Sequence, residues 1–135
     1  MLAQNLWIFG SSIFLLLGTA HLRITFFGHK LFPKHHSVIG EMQNTHPQLT
    51  EETTMWKAWV GFNASHSAGA IFFGALNMTL ASQYFTIIQE SVFIVFLNML
   101  FVLFFLFLAK MYWFKIPFIG ILISTICYGI SIFLM

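Results

Sequence analysis

Four long apolar runs, separated by more polar stretches, dominate the pattern of this sequence. They cover roughly residues 6–27, 55–81, 92–109 and 114–134. An α-helix needs about 20 mainly apolar residues to cross a bilayer, so the pattern predicts four spans. The first run exceeds the apolar region of a signal peptide, about 7–15 residues, and no Lys or Arg precedes it, so we expect a retained span.

The connections between the runs indicate how the helices pack. Those after the second and third runs are short, which favours antiparallel neighbours. Residues 28–54 form the one long loop, and no repeat or linker divides the chain. We therefore predict an all-α fold, an integral membrane four-helix up-and-down bundle, with residues 1–135 as a single four-helix transmembrane domain.

The composition agrees with a membrane protein. Of 135 residues, 59% are hydrophobic and 7% are charged, and the mean hydropathy is +0.84. A soluble domain usually has about a quarter of its residues charged. This excludes a soluble enzyme, a disulfide-rich secreted domain and a disordered chain. The net charge of +2 is too small and dispersed to indicate nucleic-acid binding.

The basic residues predict the orientation of the bundle. The N-terminus and residues 83–91 carry no Lys or Arg, whereas all six basic residues lie in or close to the other two loops. They are Arg23, Lys30, Lys34, Lys57, Lys110 and Lys115. The positive-inside rule then places loop 28–54 in the cytoplasm and both termini outside. We expect a multi-pass protein of a bacterial inner membrane.

The long loop and the start of the second span have their own signals. A short helix beginning at Pro33 would lie along the membrane surface. Thr50 is the expected N-cap of the next helix, with Glu51 and Glu52 in its first turn. Such a helix, continued to the end of the second run, is about 46 Å long. It exceeds the hydrocarbon core of about 30 Å, so we expect Trp56 and Trp59 at the cytoplasmic interface.

The second run carries polar side chains on one helical face, at about 100° per residue. The residues of this face are Trp56, Trp59, Asn63, His66, Ser67, Ala70, Gly74 and Asn77. Because Asn, His and Ser are costly to place in lipid, the face should point into the bundle. Gly61, Ser65 and Gly69 form a separate column of small residues, which allows close approach by another helix, within the chain or in a homo-oligomer.

The first span contains a matching histidine, His21. Since the two spans run in opposite directions, we expect His21 and His66 at similar depth, facing one another across an interior cavity. We predict these two as catalytic candidates. The ligand-binding candidates are Asn63, Ser67, Arg23, Trp59 and Tyr128. For Arg23, near the end of its span, snorkelling to the headgroups is the alternative to clamping an anionic group beside His21.

Several interpretations of this polar group are open. One is an interhelical hydrogen-bond network in a ligand-free structural or assembly partner of another membrane protein. A second is a pocket that binds a small amphipathic or lipid-like molecule, with membrane lipids as neighbours, and acts on it by acid–base chemistry, since histidine titrates near neutrality. A third is a redox subunit with haem b held by His21 and His66, for which Gly18 and Gly69 would leave room.

Other chemistries have little support. The loop histidines lack the spacing of the histidine boxes of membrane di-iron enzymes, so no metal site is predicted apart from the haem alternative. The loop histidines are His29, His35, His36 and His46. A surface Zn or Cu site from His35, His36 and His46 is an alternative to histidines near headgroups. Ser65 and Ser67 flank His66, but adjacent helical residues point in different directions and cannot form a Ser–His pair.

The segment WKAWVGFNASHSAG, from Trp56 to Gly69, and the earlier GTAHL, from Gly18 to Leu22, resemble a family of small four-span bacterial membrane proteins. The resemblance covers most of the chain. It implies a four-helix layout in a bacterial inner membrane and points to His21, Asn63 and His66, but it implies no activity. In size the chain is also similar to the DoxX-like four-helix proteins and the membrane glutathione transferases, whose motifs cannot be placed on it.

Overall fold

The computed structural model describes residues 1–135 and contains six α-helices and no strand, which confirms the all-α prediction. The helices are α1 Leu2–Phe27, α2 His36–Asn44, α3 Met55–Gln83, α4 Phe85–Glu90, α5 Val92–Tyr112 and α6 Lys115–Phe133. The four long helices occupy the four apolar runs of the sequence. The two short ones lie in the connections before and after α3.

Three helices, α1, α5 and α6, are long and apolar enough to cross a membrane. Large apolar side chains such as Leu16, Phe104 and Ile119 are more than half exposed on them, as is expected where lipid is the solvent. Helix α3 is the longest, with 29 residues. Its Asn, His and Ser side chains make it less apolar than the other three, and for this reason it is not among the helices apolar enough to cross a membrane by composition alone.

The predicted N-cap of α3 is wrong. Thr50 closes a local turn, in which its Oγ1 accepts from the amide of Glu52 at 3.1 Å. The helix begins at Met55, and Thr54 is its cap, with Oγ1 accepting from the amide of Lys57 at 3.3 Å. The amide of Met55 donates to the carbonyl of Thr45 at 2.8 Å. This bond joins two residues ten positions apart at the helix start, so the cap is Thr54 and not Thr50, while the start agrees with the apolar run predicted from residue 55.

The two short helices also differ from expectation. The surface helix expected from Pro33 begins at His36 and has no buried residue, so it packs little against the rest of the chain. Helix α4 lies in the short connection between the second and third apolar runs, where the sequence analysis predicted no helix. Its Ile88 is fully buried, and the burial of this side chain explains why the connection is held as a helical turn.

The chain divides into two compact units. Met1–Leu17 and Ala70–Met135 form the first, and Gly18–Gly69 the second, so α1 and α3 each contribute to both. The core of the first unit joins α1, α3, α4, α5 and α6. It consists of Trp7, Phe14, Ala70, Phe73, Ala81, Ile88, Val102, Phe105, Ala109, Ile121 and Tyr128.

Aromatic rings fill the middle of the first unit. Phe73 of α3 stacks on Phe101 of α5, with ring centroids 4.1 Å apart. Phe14 of α1 meets the edge of Phe73 at 4.9 Å, and Phe105 stacks on Phe101 at 4.5 Å. Offset-stacked and edge-to-face pairs stabilise a core beyond the area that they bury. The phenylalanines therefore hold α1, α3 and α5 together in this unit.

Buried polar groups of the first unit pair across its helices. Trp7 donates from Nε1 to Oδ1 of Asn77 at 3.0 Å, and Ser124 donates to the carbonyl of Gly10 at 2.7 Å. Ser131 donates to the carbonyl of Ala3, also at 2.7 Å. These bonds link α1 to α3 on one side and to α6 on the other. Each satisfies a buried polar group that water does not reach.

Gly74 is the point of closest approach between α1 and α3 in the first unit. A Cβ at this position would lie 2.6 Å from the amide nitrogen of Leu15 and 2.7 Å from the carbonyl oxygen of Ser11. Both are backbone atoms, which cannot move aside without shifting α1. The absence of a side chain at residue 74 therefore sets the spacing of the two helices.

We expect Gly74→Ala to destabilise the fold by about 1–3 kcal/mol, because overpacking displaces the helix backbone. Titration of the purified protein with a denaturing detergent, followed by circular dichroism, measures this. The matched control is Gly129→Ala on α6, an exposed glycine where an added Cβ meets no atom within 4 Å and alanine favours the helix. Equal effects of the two substitutions would contradict the assignment of Gly74 as the close contact.

Candidate functional site

The second unit brings His21 of α1 together with Asn63 and His66 of α3. Nε2 of His21 lies 3.0 Å from Oδ1 of Asn63. The imidazoles of His21 and His66 meet edge to face, with centroids 5.7 Å apart and planes at 82°. All three side chains are half-buried. The residues that the helical pattern selected are therefore neighbours, and part of each remains within reach of a ligand.

The amide of Asn63 determines which nitrogen of neutral His21 carries the proton. Its Nδ2 donates to the carbonyl of Trp59 at 2.8 Å, which leaves Oδ1 facing the imidazole as an acceptor. Nε2 of His21 must then donate. In the neutral ring, Nδ1 is consequently the basic nitrogen. Asn63 thus orients His21 and selects its tautomer.

Two hydroxyl groups donate to backbone carbonyls of this trio. Ser67, which is fully buried, donates from Oγ to the carbonyl of Asn63 at 2.7 Å. Thr25 donates to the carbonyl of His21 at 2.9 Å. Both are bonds to the carbonyl four residues earlier, a common arrangement for Ser and Thr in helices. The hydroxyl of Ser67 is therefore committed to the backbone of its own helix and does not present a nucleophile.

An aromatic cluster stands at the start of α3 in the same unit. Trp56 stacks on Trp59 with centroids 5.4 Å apart, and the edge of Phe32 meets Trp56 at 4.9 Å. His29 meets Phe32 at 4.9 Å. The helical pattern identified the tryptophans but not Phe32, whose only signal is an aromatic residue beside a proline in the long loop. Through Trp59, whose carbonyl holds Asn63, the cluster connects to the histidine pair.

Two of the predicted ligand-binding residues are not in this group. Arg23 is exposed, and it follows His21 by two positions, so the two side chains leave the helix on different sides. Tyr128 belongs to the first unit, where it is fully buried, and its hydroxyl pairs with Ser11 at 2.8 Å. Its ring meets the edge of Trp7 at 4.7 Å. Tyr128 is a core residue there.

The structure contains no group of three or more His, Cys, Asp or Glu side chains that could hold a metal ion. Two imidazoles and an amide are the polar chemistry of the site. They can donate and accept hydrogen bonds and exchange protons. They offer no activated nucleophile of the Ser–His or Cys–His kind.

The small-residue column of α3 is exposed. Gly61, Ser65 and Gly69 all face outward, and a Cβ at either glycine would meet no atom within 4 Å. The close contacts between helices lie instead at Gly74, at Gly120, where a Cβ would be 2.9 Å from Cδ1 of Leu17, and at Gly10, where it would be 3.3 Å from the carbonyl oxygen of Ser124. The column is therefore not used for packing within the chain.

No known protein family, curated protein or solved structure matches this chain. What the site does must therefore be argued from its own residues.

We expect a measurable coupling between His21 and Asn63 in a double-mutant cycle with His21→Phe and Asn63→Leu. Interhelical hydrogen bonds in membrane proteins average about 0.6 kcal/mol and reach about 1.7. Unfolding free energies of the four proteins give the value. A second cycle that replaces Asn63→Leu with Ser65→Ala is the control, because Ser65 donates only to Phe62 of its own helix. Coupling as small in the first cycle as in the second would argue against the His21–Asn63 bond.

Proposed function

We propose that this protein is an integral membrane protein that binds a small amphipathic or lipid-like molecule at His21, Asn63 and His66. The observation that carries the proposal is the half-buried pair of imidazoles, one of them oriented by an amide, between helices that are otherwise largely apolar. The polar head of a bound molecule would meet hydrogen-bond donors and acceptors there, while its hydrocarbon chain lies along the apolar surfaces of the helices.

The same arrangement supports acid–base chemistry on the bound molecule. With Nε2 of His21 donating to Asn63, Nδ1 takes up a proton from a ligand whose acidic group is within hydrogen-bond reach. His66, in contact with the His21 ring, is the second group able to hold a proton. General acid–base catalysis needs such geometry before any adjustment of pKa. We assign His21 and His66 this role and Asn63 that of a positioning residue.

The haem alternative fits this geometry less well. Axial ligation by two histidines requires each ring to direct a nitrogen, in the plane of the ring, at a metal between them. In an edge-to-face pair only one ring points its edge at the other. Moreover, Nε2 of His21 is already bonded to Asn63. The arrangement of the two rings therefore favours a bound amphiphile over a haem.

Membrane placement is a further part of the proposal. We place α3 as a fourth span beside α1, α5 and α6, in a four-helix bundle of a bacterial inner membrane with loop 28–54 in the cytoplasm. Its 29 residues extend about 44 Å, enough to cross the core and reach the headgroups. The stacked Trp56 and Trp59 at its start support an interfacial position for that end.

The exposed column of Gly61, Ser65 and Gly69 supports a contact with a second copy of the chain. Small residues at this spacing let two helices approach closely in a membrane. Since nothing in the chain covers either glycine within 4 Å, we keep a homo-oligomer through α3 as part of the proposal. The alternative is a ligand-free assembly partner, in which the polar face of α3 meets another membrane protein and no molecule is bound.

The binding proposal is tested by the lipids that copurify with the protein in mild detergent. We expect mass spectrometry to find one lipid class enriched over the membrane extract with the wild type, and this enrichment to be lost with His66→Ala while helicity is retained. Ser65→Ala, one residue away and exposed, is the control and should retain it. If the histidines are only structural, His66→Ala would lower stability by about 1–2 kcal/mol and leave the lipid profile unchanged. An absorption spectrum with a haem band would favour the haem alternative.

The orientation is tested by cysteine labelling with a membrane-impermeant maleimide in a background of Cys127→Ser. We expect a cysteine introduced near residue 2 to react from the periplasmic side and His35→Cys to react only after the membrane is opened. The reason is the confinement of basic residues to the loops proposed as cytoplasmic. Reaction of the residue 35 probe in intact cells would overturn the orientation but not the binding site.

A further inference from the structure

A groove in the first unit, between the second half of α3 and α5, is separate from the histidine site. Its volume is about 780 Å³, within the range of about 300–1,000 Å³ common for small-molecule sites. Apolar side chains dominate its walls, among them Phe73, Leu76 and Leu80 on α3 and Leu97, Phe101 and Phe104 on α5. The stacked rings of Phe73 and Phe101 make part of this lining rigid.

Two amide side chains, Asn77 and Asn98, also line the groove. Both polar atoms of the Asn77 amide already have hydrogen-bond partners. Its Oδ1 accepts from Trp7, and its Nδ2 donates to the carbonyl of Phe73 at 3.1 Å. Asn98 is 8% exposed, and its Nδ2 donates to the carbonyl of Ile94 at 2.9 Å. Its Oδ1 is the one buried side-chain oxygen or nitrogen in the chain that has no hydrogen-bond partner.

An unpaired buried acceptor is costly in any protein and more so where the solvent is lipid. Amide orientation does not remove the problem, because exchanging Oδ1 and Nδ2 would place an oxygen against the carbonyl of Ile94. The missing partner must bring a donor, an O–H or N–H group. It must also be largely hydrocarbon, because the walls around Asn98 are apolar.

We propose that this groove binds the hydrocarbon chain of a single-chain amphiphile whose hydroxyl or amide N–H donates to Oδ1 of Asn98. Because this oxygen is buried when the groove is empty, the Asn98 amide rotates slightly toward the groove when the ligand binds. The lining of α5 runs from Ile94 to Phe104, about 15 Å along the helix. This is half of a hydrocarbon core of about 30 Å, the depth of one leaflet. Asn98 lies about 6 Å along the axis from Ile94 and about 9 Å from Phe104. The donor therefore meets it inside the groove, and the longer part of the lining, toward Phe104, is left for the chain.

The lateral position of the groove favours a membrane lipid as its occupant. Leu76, Leu97 and Phe104 are each roughly half exposed, so the groove is open along its length to the surrounding acyl chains. A chain from the bilayer can enter without crossing water. Recognition then depends on the one donor, because hydrocarbon contacts do not distinguish one chain from another.

The test compares two photoactivatable probes in nanodiscs of phosphatidylcholine, a lipid without a hydrogen-bond donor. The first is hexadecan-1-ol carrying a diazirine in its chain, and the second is the methyl ether of the same compound, which can only accept. After irradiation, peptide mapping measures labelling of residues 73–80 and 94–104. We expect the alcohol to label these segments about fivefold more than the ether, a factor typical of one net hydrogen bond.

Three variants make the result specific. Asn98→Leu keeps the volume but removes the acceptor, so the alcohol should label no more than the ether; loss of an unpaired amide should not impair folding. Leu97→Trp fills the groove and should remove labelling by both probes. Leu103→Trp is the matched control, since Leu103 is exposed on the same helix and does not line the groove. It should behave as the wild type.

Several results would overturn the proposal. Equal labelling of the wild type by alcohol and ether would show that no donor is recognised, and this comparison needs no variant. Labelling of the exposed face of α6 as strongly as the groove would show only general lipid contact. Labelling of neither segment by either probe would show that the groove does not take up the chain, whether it is closed or covered by a second copy. None of these results affects the histidine site, which belongs to the other unit.

Discussion

The hydrogen bonds that α1 exchanges with α3 and α6 are the interactions on which the first unit depends. Ser124 and Ser131 donate to carbonyls of α1, and Trp7 of α1 donates to Asn77. In a membrane the hydrophobic effect does not distinguish a helix from a lipid chain, so close packing and polar bonds must specify which helices meet. Here they select α1 as the helix that its neighbours share.

Close packing is possible at α1 because its neighbours carry small residues where they cross it. Gly74 of α3 lies directly against the backbone of α1, and Gly10 of α1 lies against Ser124 of α6. The other glycines of α3, Gly61 and Gly69, contact nothing. The glycines of α3 thus differ in their contacts, since Gly74 packs within the chain whereas Gly61 and Gly69 lie on its surface.

The histidine pair and Asn98 represent two ways of holding a polar group among apolar helices. In the second unit, Asn63 satisfies His21, and the side chains stay half-exposed. Asn98 is more deeply buried and keeps an acceptor without a partner. A satisfied polar group stabilises the helices that it joins, whereas an unsatisfied one raises the free energy of the fold until a ligand pairs with it. The two proposed sites therefore differ in the hydrogen bonds that a ligand would make, because only Asn98 lacks a partner within the chain.

The sequence by itself determined the class of the protein and much of one site. Long apolar runs gave the four long helices, because hydropathy and helical period are local properties. The polar face of α3 and His21 predicted the trio that the structure brings together, since opposite chain directions place them side by side. The place of Tyr128 and the unpaired oxygen of Asn98 were decided by the tertiary structure alone. So were the cap at Thr54 and the choice of Gly74 over Gly61 as the packing glycine. Each depends on which distant backbone or side chain comes within hydrogen-bond or van der Waals distance, and no local pattern contains that information.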